Sequence, residues 1–364
     1  MTERKDVALA RPSIAGYRQQ MLEILIQRLG GDIGFYAGEQ DFEPTTRTGV
    51  RLDGHLVTVE NNYLLGRRLL WQAGALRSLV GAEVTVLELN PRVLSSWAAI
   101  LARKLRGKPT VLWGHAFPRA GRGTRTDLLR GVLRGLADVV VVYTETECRE
   151  LRQLYPRRVV IAAPNGLYPE ARIGAAAPPK GPGAFVYVGR LIPAKKPGLL
   201  LDAFFAARSR LPSGIRLVFV GDGPLRASLE AAAYQSEDVE FLGEVTQYER
   251  LRDLYAEAIC SVSPGYVGLS IVQSLSFGVP MIVARDEPHA PEVEAAQEGA
   301  NSAFVESDSP EALADELIRF AAEQDAWLER RSAIAGDCAR RYSAEATAAG
   351  LQRAIEAAQR LTSN

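Results

Sequence analysis

Cysteine, histidine and methionine are scarce in this chain, with three of each among 364 residues. Cys148, Cys260 and Cys338 are odd in number, far apart and without a CxxC pair, so neither a disulfide framework nor a zinc site is expected. Long apolar runs are missing too, and none approaches the ~18 residues of a membrane span. The opening Met1–Asp6 segment is charged and lacks the apolar stretch of a secretion signal, so a reduced, cytoplasmic location is expected. Net charge is also absent, with 43 basic and 43 acidic residues. Against these gaps stands a 47% hydrophobic content, enough for two cores at ~150 residues per domain and too much for a disordered chain.

The zero net charge conceals a split. Residues 1–168 hold 24 basic and 16 acidic side chains and the remainder holds 19 and 27, so the two parts carry +8 and −8. A basic first part suits an anionic partner, either a phosphate-bearing substrate or the inner face of an anionic membrane. Arg67, Arg68, Arg103, Lys104, Arg106 and Lys108 are the expected contributors, although no strongly hydrophobic face accompanies them. An Arg-rich solvated surface without a partner accounts for the same count. The basic residues are dispersed rather than grouped with aromatics, which argues against nucleic acid.

Short apolar runs alternate with amphipathic stretches throughout, the pattern of α/β units on parallel sheets. Strands are expected at 32–36, 83–87, 110–112, 139–143 and 159–162, with helices at 17–29, 63–79, 94–104 and 126–137. The segment Tyr168–Gly183 is rich in Pro and Gly and reads as a linker. The pattern then restarts, with strands at 184–188, 216–220, 239–242, 259–262 and 281–284. Helices are expected at 196–209, 224–233, 247–256 and 269–277, and at 310–328 and 344–361 near the end.

Three motifs carry chemistry. Tyr187-Val188-Gly189-Arg190 runs from a strand into a tight turn, and Arg190 and Lys195 bring two cations to a strand's carboxyl end, suited to a diphosphate. Val220-Gly221-Asp222-Gly223-Pro224 is a second strand-to-helix turn, for which Asp222 as a simple cap is the plainer account. In the third, a strand ends in Ser263-Pro264-Gly265 and a helix starts near Leu269. The amides of Gly268, Leu269 and Ser270 at that helix start suit an anion.

In this order and spacing the motifs resemble the C-terminal domain of the family-4 glycosyltransferases, enzymes of the GT-B fold. The resemblance rests on Val188-Gly189-Arg190-Leu191 with Lys195, on the Gly221 turn, and on Phe241-Leu242-Gly243. It extends through Leu254-Tyr255-Ala256-Glu257-Ala258 and Gly268-Leu269 to Gly278-Val279-Pro280. In the first part Trp113-Gly114-His115 and Ala163-Pro164-Asn165-Gly166 are similar to the family's pattern. The resemblance implies an α/β protein of two Rossmann-like parallel-sheet domains facing a central cleft. Residues 1–170 would bind the acceptor and 171–344 the nucleotide-sugar donor, with the helix at 345–364 packing back onto the first domain. It also implies sugar transfer with retention of configuration and without metal, arginine and lysine neutralising the departing diphosphate. Gly189, Arg190, Lys195, Gly221, Leu242, Gly265, Gly268, Leu269, Ser270 and Gln273 would then line the donor site, and His115 would join Arg190 and Lys195 in catalysis.

The chain departs from the family where two glutamates usually stand eight positions apart, because Gly265 and Gln273 occupy those places. Gln273 can still hydrogen-bond a ribose. Gly265 supplies no carboxylate and is expected to leave extra room in the sugar pocket. Gly16, in the first strand-to-helix loop, would let the backbone approach a donor phosphate. Glu88, Asn90, Arg119 and Arg122 are candidates for the acceptor side, although Asn90 also reads as a helix cap before Pro91. His289, Glu292 and Glu294 form a weak metal pattern on an irregular loop, and one of them is a candidate to replace the carboxylate missing at 265.

The expectation is therefore a glycosyltransferase that moves a sugar from a nucleotide diphosphate donor to a glycan, lipid-linked or small-molecule acceptor, with no cofactor. Two alternatives stand beside it: a catalytically silent protein that keeps the nucleotide-sugar site, and a GT-B hydrolase or epimerase.

Overall fold

The computed structural model describes residues 5–118 and 122–361. They form two compact units, one of the described residues up to 169 together with 344–361, the other of residues 170–343.

In chain order the first unit contains β1 (Val7–Arg11), α1 (Gln19–Arg28), β2 (Ile33–Ala37), β3 (Leu56–Thr58), β4 (Asn62–Leu64), β5 (Leu69–Trp71), α2 (Leu76–Gly81), β6 (Val84–Glu88) and α3 (Leu94–Lys104). It continues through β7 (Thr110–Trp113), α4 (Arg125–Leu136), β8 (Val139–Val142), α5 (Glu145–Leu154) and β9 (Val159–Ala162). Seven strands form one parallel sheet in the order β3-β2-β1-β6-β7-β8-β9. Its central strands are buried on both faces, so they are continuous apolar runs such as Val139–Val142. Thr124 and Thr144 start α4 and α5 by accepting the amides of Asp127 and Glu147.

The second unit contains β10 (Ala184–Val188), α6 (Pro197–Ala207), β11 (Arg216–Val220), α7 (Arg226–Ala232), β12 (Val239–Phe241), α8 (Tyr248–Ala256), β13 (Ala258–Ser263), α9 (Ser270–Ser276), β14 (Met281–Ala284), β15 (Ser302–Val305), α10 (Pro310–Ala322) and α11 (Gln324–Tyr342). Its parallel sheet runs β12-β11-β10-β13-β14-β15. The Pro-rich stretch after Tyr168 lies against this unit, with the amides of Gly174 and Ala176 bonded to Ser276 O and Phe277 O. The last helix, α12 (Ala344–Arg360), belongs to the first unit, where Leu351 and Ile355 share a core with Leu22 and Leu25 of α1.

Of the helix expected over 63–79 only the end forms, as the start of α2 at Leu76. Leu65, Gly66 and Arg67 have φ of 51°, 61° and 63°, a left-handed turn that joins β4 and β5 as an antiparallel hairpin. The single helix expected over 310–328 is instead α10 followed by the start of α11, broken at Glu323.

Candidate functional site

In the second unit β10, β11, β12 and β13 end at Val188, Val220, Phe241 and Ser263, and parallel pairing places those ends along one edge. The strand order changes direction between β10 and β13, the point where doubly wound sheets leave a crevice for ligands. Gly221 has φ +137°, and a Cβ there would overlap Gly189 O, so a side chain is excluded on two counts. Its amide is bonded to Gly243 O at 2.7 Å, which draws the three turns together. Leu242 lies beside them, its amide on Phe219 O, and its side chain walls an apolar cavity of about 160 Å³ with Val186, Val218 and Leu254.

Lys195 closes this edge. Its Nζ donates to Tyr266 O at 3.2 Å and its methylenes lie over Gly189, at 3.3 Å from where a Cβ would stand. Burial, with Arg190 nearby, lowers the Lys195 ammonium to about 8. The Arg190 side chain is exposed and makes no hydrogen bond or ion pair among the described residues. Lys196, the next residue, is instead paired with Glu287 at 2.5 Å and Asp308 at 2.6 Å. Only one of the two adjacent lysines thus faces the glycine turns.

Gly265 corrects an expectation. A Cβ there would stand 2.7 Å from Ala194 O and 2.9 Å from the Lys195 carbonyl carbon. The missing side chain leaves no extra room, because the turn before α6 packs into it, fixed by the Tyr266 amide on Ala194 O at 2.9 Å. Gly268 and Leu269 lead into α9, which starts at Ser270. Gln273 accepts the Tyr255 hydroxyl at 3.4 Å. Asp222 accepts the Gly223 amide and pairs with Arg226, one residue past the Leu225 cap of α7.

His289 holds the loop before α9. Its Nδ1 accepts the Val267 amide at 3.0 Å and its Nε2–H donates to Ala284 O at 2.7 Å, which fixes the tautomer. Burial lowers its value below the ordinary imidazole range. Among the described residues no group of three His, Cys, Asp or Glu side chains is placed to hold a metal.

The first unit has a second carboxyl edge, and its strand order changes direction between β1 and β6. Arg11 ends β1 and Glu88 ends β6, and they form an ion pair at 3.7 Å. Arg11 also donates to the Tyr143 hydroxyl at 3.5 Å and lies 4.6 Å from the Trp113 ring centroid. Burial acts to lower the Arg11 value, but Tyr143 and Glu88 outweigh it and raise it. Burial raises the Glu88 carboxyl above its ordinary range, against the pull of Arg11. Arg18 lies on the same Trp113 ring, also at 4.6 Å. Sequence reasoning gave neither arginine a role, because Arg18 falls inside the helix expected over 17–29 and the alanine-rich Val7–Arg11 does not read as a strand.

His115 is exposed at the end of β7, its ring edge-on to Tyr143 at 4.9 Å between centroids. Asn90 does not cap α3. Its Oδ1 accepts the Arg92 amide, and the helix starts after Val93. Gly16 packs on the backbone of Gly49, with Gly49 O 3.2 Å from where a Cβ would stand. Arg122 is paired with Glu150 and stacked on Phe117. Arg119 lies outside the described residues. Arg103 is no surface cation: it is fully buried and donates to the carbonyls of Leu79, Ala82, Glu83 and Pro109.

Residues 182–323 match the family of group 1 glycosyl transferases. The architecture has close counterparts among solved structures. HepE from Anabaena in complex with UDP superposes with a TM-score of 0.68 at 15% identity, over 97% of this chain and 99% of that one. Sucrose-phosphate synthase from Thermosynechococcus elongatus gives 0.66 at 17%, over 99% and 100%. The fold is GT-B. In sequence, D-inositol 3-phosphate glycosyltransferase from Nocardiopsis dassonvillei is 30% identical over 270 residues, which span 64% of this chain and 61% of that protein. A GDP-mannose-dependent phosphatidylinositol dimannoside mannosyltransferase from Mycobacterium tuberculosis is 35% identical over 103 residues, 28% of this GT-B chain and 26% of that protein.

Proposed function

We propose that this chain is a glycosyltransferase that binds a nucleotide diphosphate sugar on its second unit and an acceptor on its first. The observation that carries this reading is Lys195, a partly buried ammonium set over Gly189 at the point where the sheet order reverses. Arg190 supplies a second cation at the same turn. Two cations over backbone turns that tolerate no side chain suit a diphosphate, whose charge grows as the sugar leaves. The group 1 match over residues 182–323 covers this region, and HepE was solved with UDP, which supports a nucleotide donor. Transfer with retention and without a divalent metal belongs to the same reading, with Arg190 and Lys195 taking the neutralising role. His115, exposed at the carboxyl edge of the first unit, is assigned to the reacting sugar or the acceptor.

A second reading keeps the nucleotide site without the chemistry, because position 265 offers no carboxylate and the backbone of Ala194 and Lys195 fills its place. Nucleotide release from a panel of nucleotide sugars, with and without acceptors, separates the readings. Transfer requires acceptor and survives EDTA, hydrolysis needs no acceptor, and a silent protein releases nothing. Arg190→Ala and Lys195→Ala should each lower turnover on the order of 10²-fold. Wild-type rates in both variants would remove the diphosphate assignment.

A further inference from the structure

Arg18 is 6% exposed, yet its guanidinium makes no hydrogen bond and no ion pair among the described residues. It lies against aromatic rings: Trp113 at 4.6 Å, Tyr17 at 5.0 Å and Tyr143 at 5.8 Å. Stacking uses the flat face of the guanidinium and leaves five in-plane N–H donors without acceptors. A buried cation in that state is costly unless an anion answers it. The edge of this guanidinium keeps some contact with solvent, whereas polar atoms of its neighbours are fully enclosed. Arg11 Nη1, the Trp113 indole N–H and Glu88 Oε2 are all buried without a hydrogen-bond partner among the described residues. Arg11 is paired with Glu88, whose carboxyl group is also drawn by Arg130 and Arg18, so cations outnumber that carboxyl at this edge.

These groups stand at the carboxyl ends of β1 and β6, where the strand order reverses, the ligand position of such a sheet. The unmet donors call for an oxyanion, and the unmet Glu88 oxygen calls for a hydroxyl. We propose that this edge binds a polyol carrying an anionic group, the anion on Arg18 and a hydroxyl on Glu88, so that the acceptor of this enzyme is an acidic sugar or sugar phosphate. The assignment to an acceptor rests on the transferase reading, whereas the anion site itself does not.

The test is equilibrium binding to the full chain by calorimetry, with glucose, glucose 6-phosphate and glucuronate as probes and UDP titrated separately. Both acidic probes, or one of them, should bind at least tenfold tighter than glucose, and which one does distinguishes phosphate from carboxylate. Arg18→Met should abolish that preference and leave UDP affinity within twofold, which also reports an intact fold. Arg18→Lys, which keeps the charge and loses the fork, should retain part of the preference. Equal binding of all three probes by the wild type would overturn the site, as would an Arg18→Met protein that still prefers the acidic probe. Loss of UDP binding in Arg18→Met with the acidic preference intact would assign the arginine to the donor instead. A wild type that prefers the acidic probe but binds no nucleotide overturns the transferase reading and leaves the anion site standing.

Discussion

Lys195 is held close enough to neutral pH that ligand charge should change its protonation. Burial and then Arg190 lower it to about 8, against 10.5 for the free side chain. A bound diphosphate favours the ammonium, so binding at pH 8 should take up about half a proton, and affinity should fall as pH rises beyond 8. Calorimetry in buffers of different ionisation enthalpy measures that uptake, and no buffer dependence would separate Lys195 from the ligand. His289 works in the opposite pH range. Burial lowers its folded value below the ~6.5 of an unfolded chain, so the neutral ring stabilises fully above that pH. That contribution is lost as pH falls through the folded value. Melting temperature between pH 7.5 and 5 should therefore drop more steeply in wild type than in His289→Asn. Gly265→Ala should cost about 1–3 kcal/mol by forcing apart the Ala194 and Lys195 backbone, read as a lower midpoint in urea. The Gly189 to Lys195 turn is legible in the sequence because it is contiguous. Gly265 is not, because its packing partner lies about seventy residues earlier. The Arg11, Arg18, Glu88 and Trp113 cluster assembles only once separate strands are aligned, and no local spacing announces it.

Among the elements, strands buried on both faces are the most legible. Ala184–Val188, Arg216–Val220 and Met281–Ala284 form where the apolar runs place them. β1, β3 and β15 escape because alanine, serine or brevity weakens the run. The β4–β5 hairpin escapes because its leucines mimic a helical stripe, while only the left-handed turn at Leu65–Arg67 sets it apart. An apolar face also emerges that the sequence does not show. Leu101 and Leu105, on and just after α3, and Leu128, Leu129 and Val132, on the neighbouring α4, are 48–90% exposed. Lys104, Arg106 and Arg125 are exposed on the same elements. Leucines rimmed by cations suit an anionic lipid surface. The protein should sediment with phosphatidylglycerol vesicles and not with phosphatidylcholine alone, and Leu128→Asp with Leu129→Asp should release it. Equal recovery with both vesicle types would remove the membrane contact. No helix among the described residues is long and apolar enough to cross a membrane.

At the scale of the whole molecule the chain passes between the units twice, at 169–170 and at 343–344. The second passage returns α12 to the first unit, where Ala344, Ala348, Leu351, Ala354, Ile355 and Ala358 complete one of its cores. The helix lies so close that a Cβ on Gly350 would stand 2.7 Å from the Ala163 Cβ. Thr347 ties it further, donating to Pro164 O and accepting the Gly166 amide at 2.9 Å. Leu351 and Ile355 alone bury about 1.5–3 kcal/mol each. That is a large share of the 5–15 kcal/mol that typically separates folded from unfolded domains. The second unit contains no part of this helix and has its own sheet and glycine turns. Ending the chain after Ser343 should therefore unfold the first unit and spare nucleotide binding on the second. Thermal unfolding of the intact protein with UDP at a hundred times its dissociation constant should show about 2.7 kcal/mol of added stability. The shortened chain should keep that shift in its remaining transition while the transition of the first unit disappears. If the shortened chain loses UDP binding altogether, the nucleotide site depends on the first unit and the assignment of donor to second unit and acceptor to first must be redrawn.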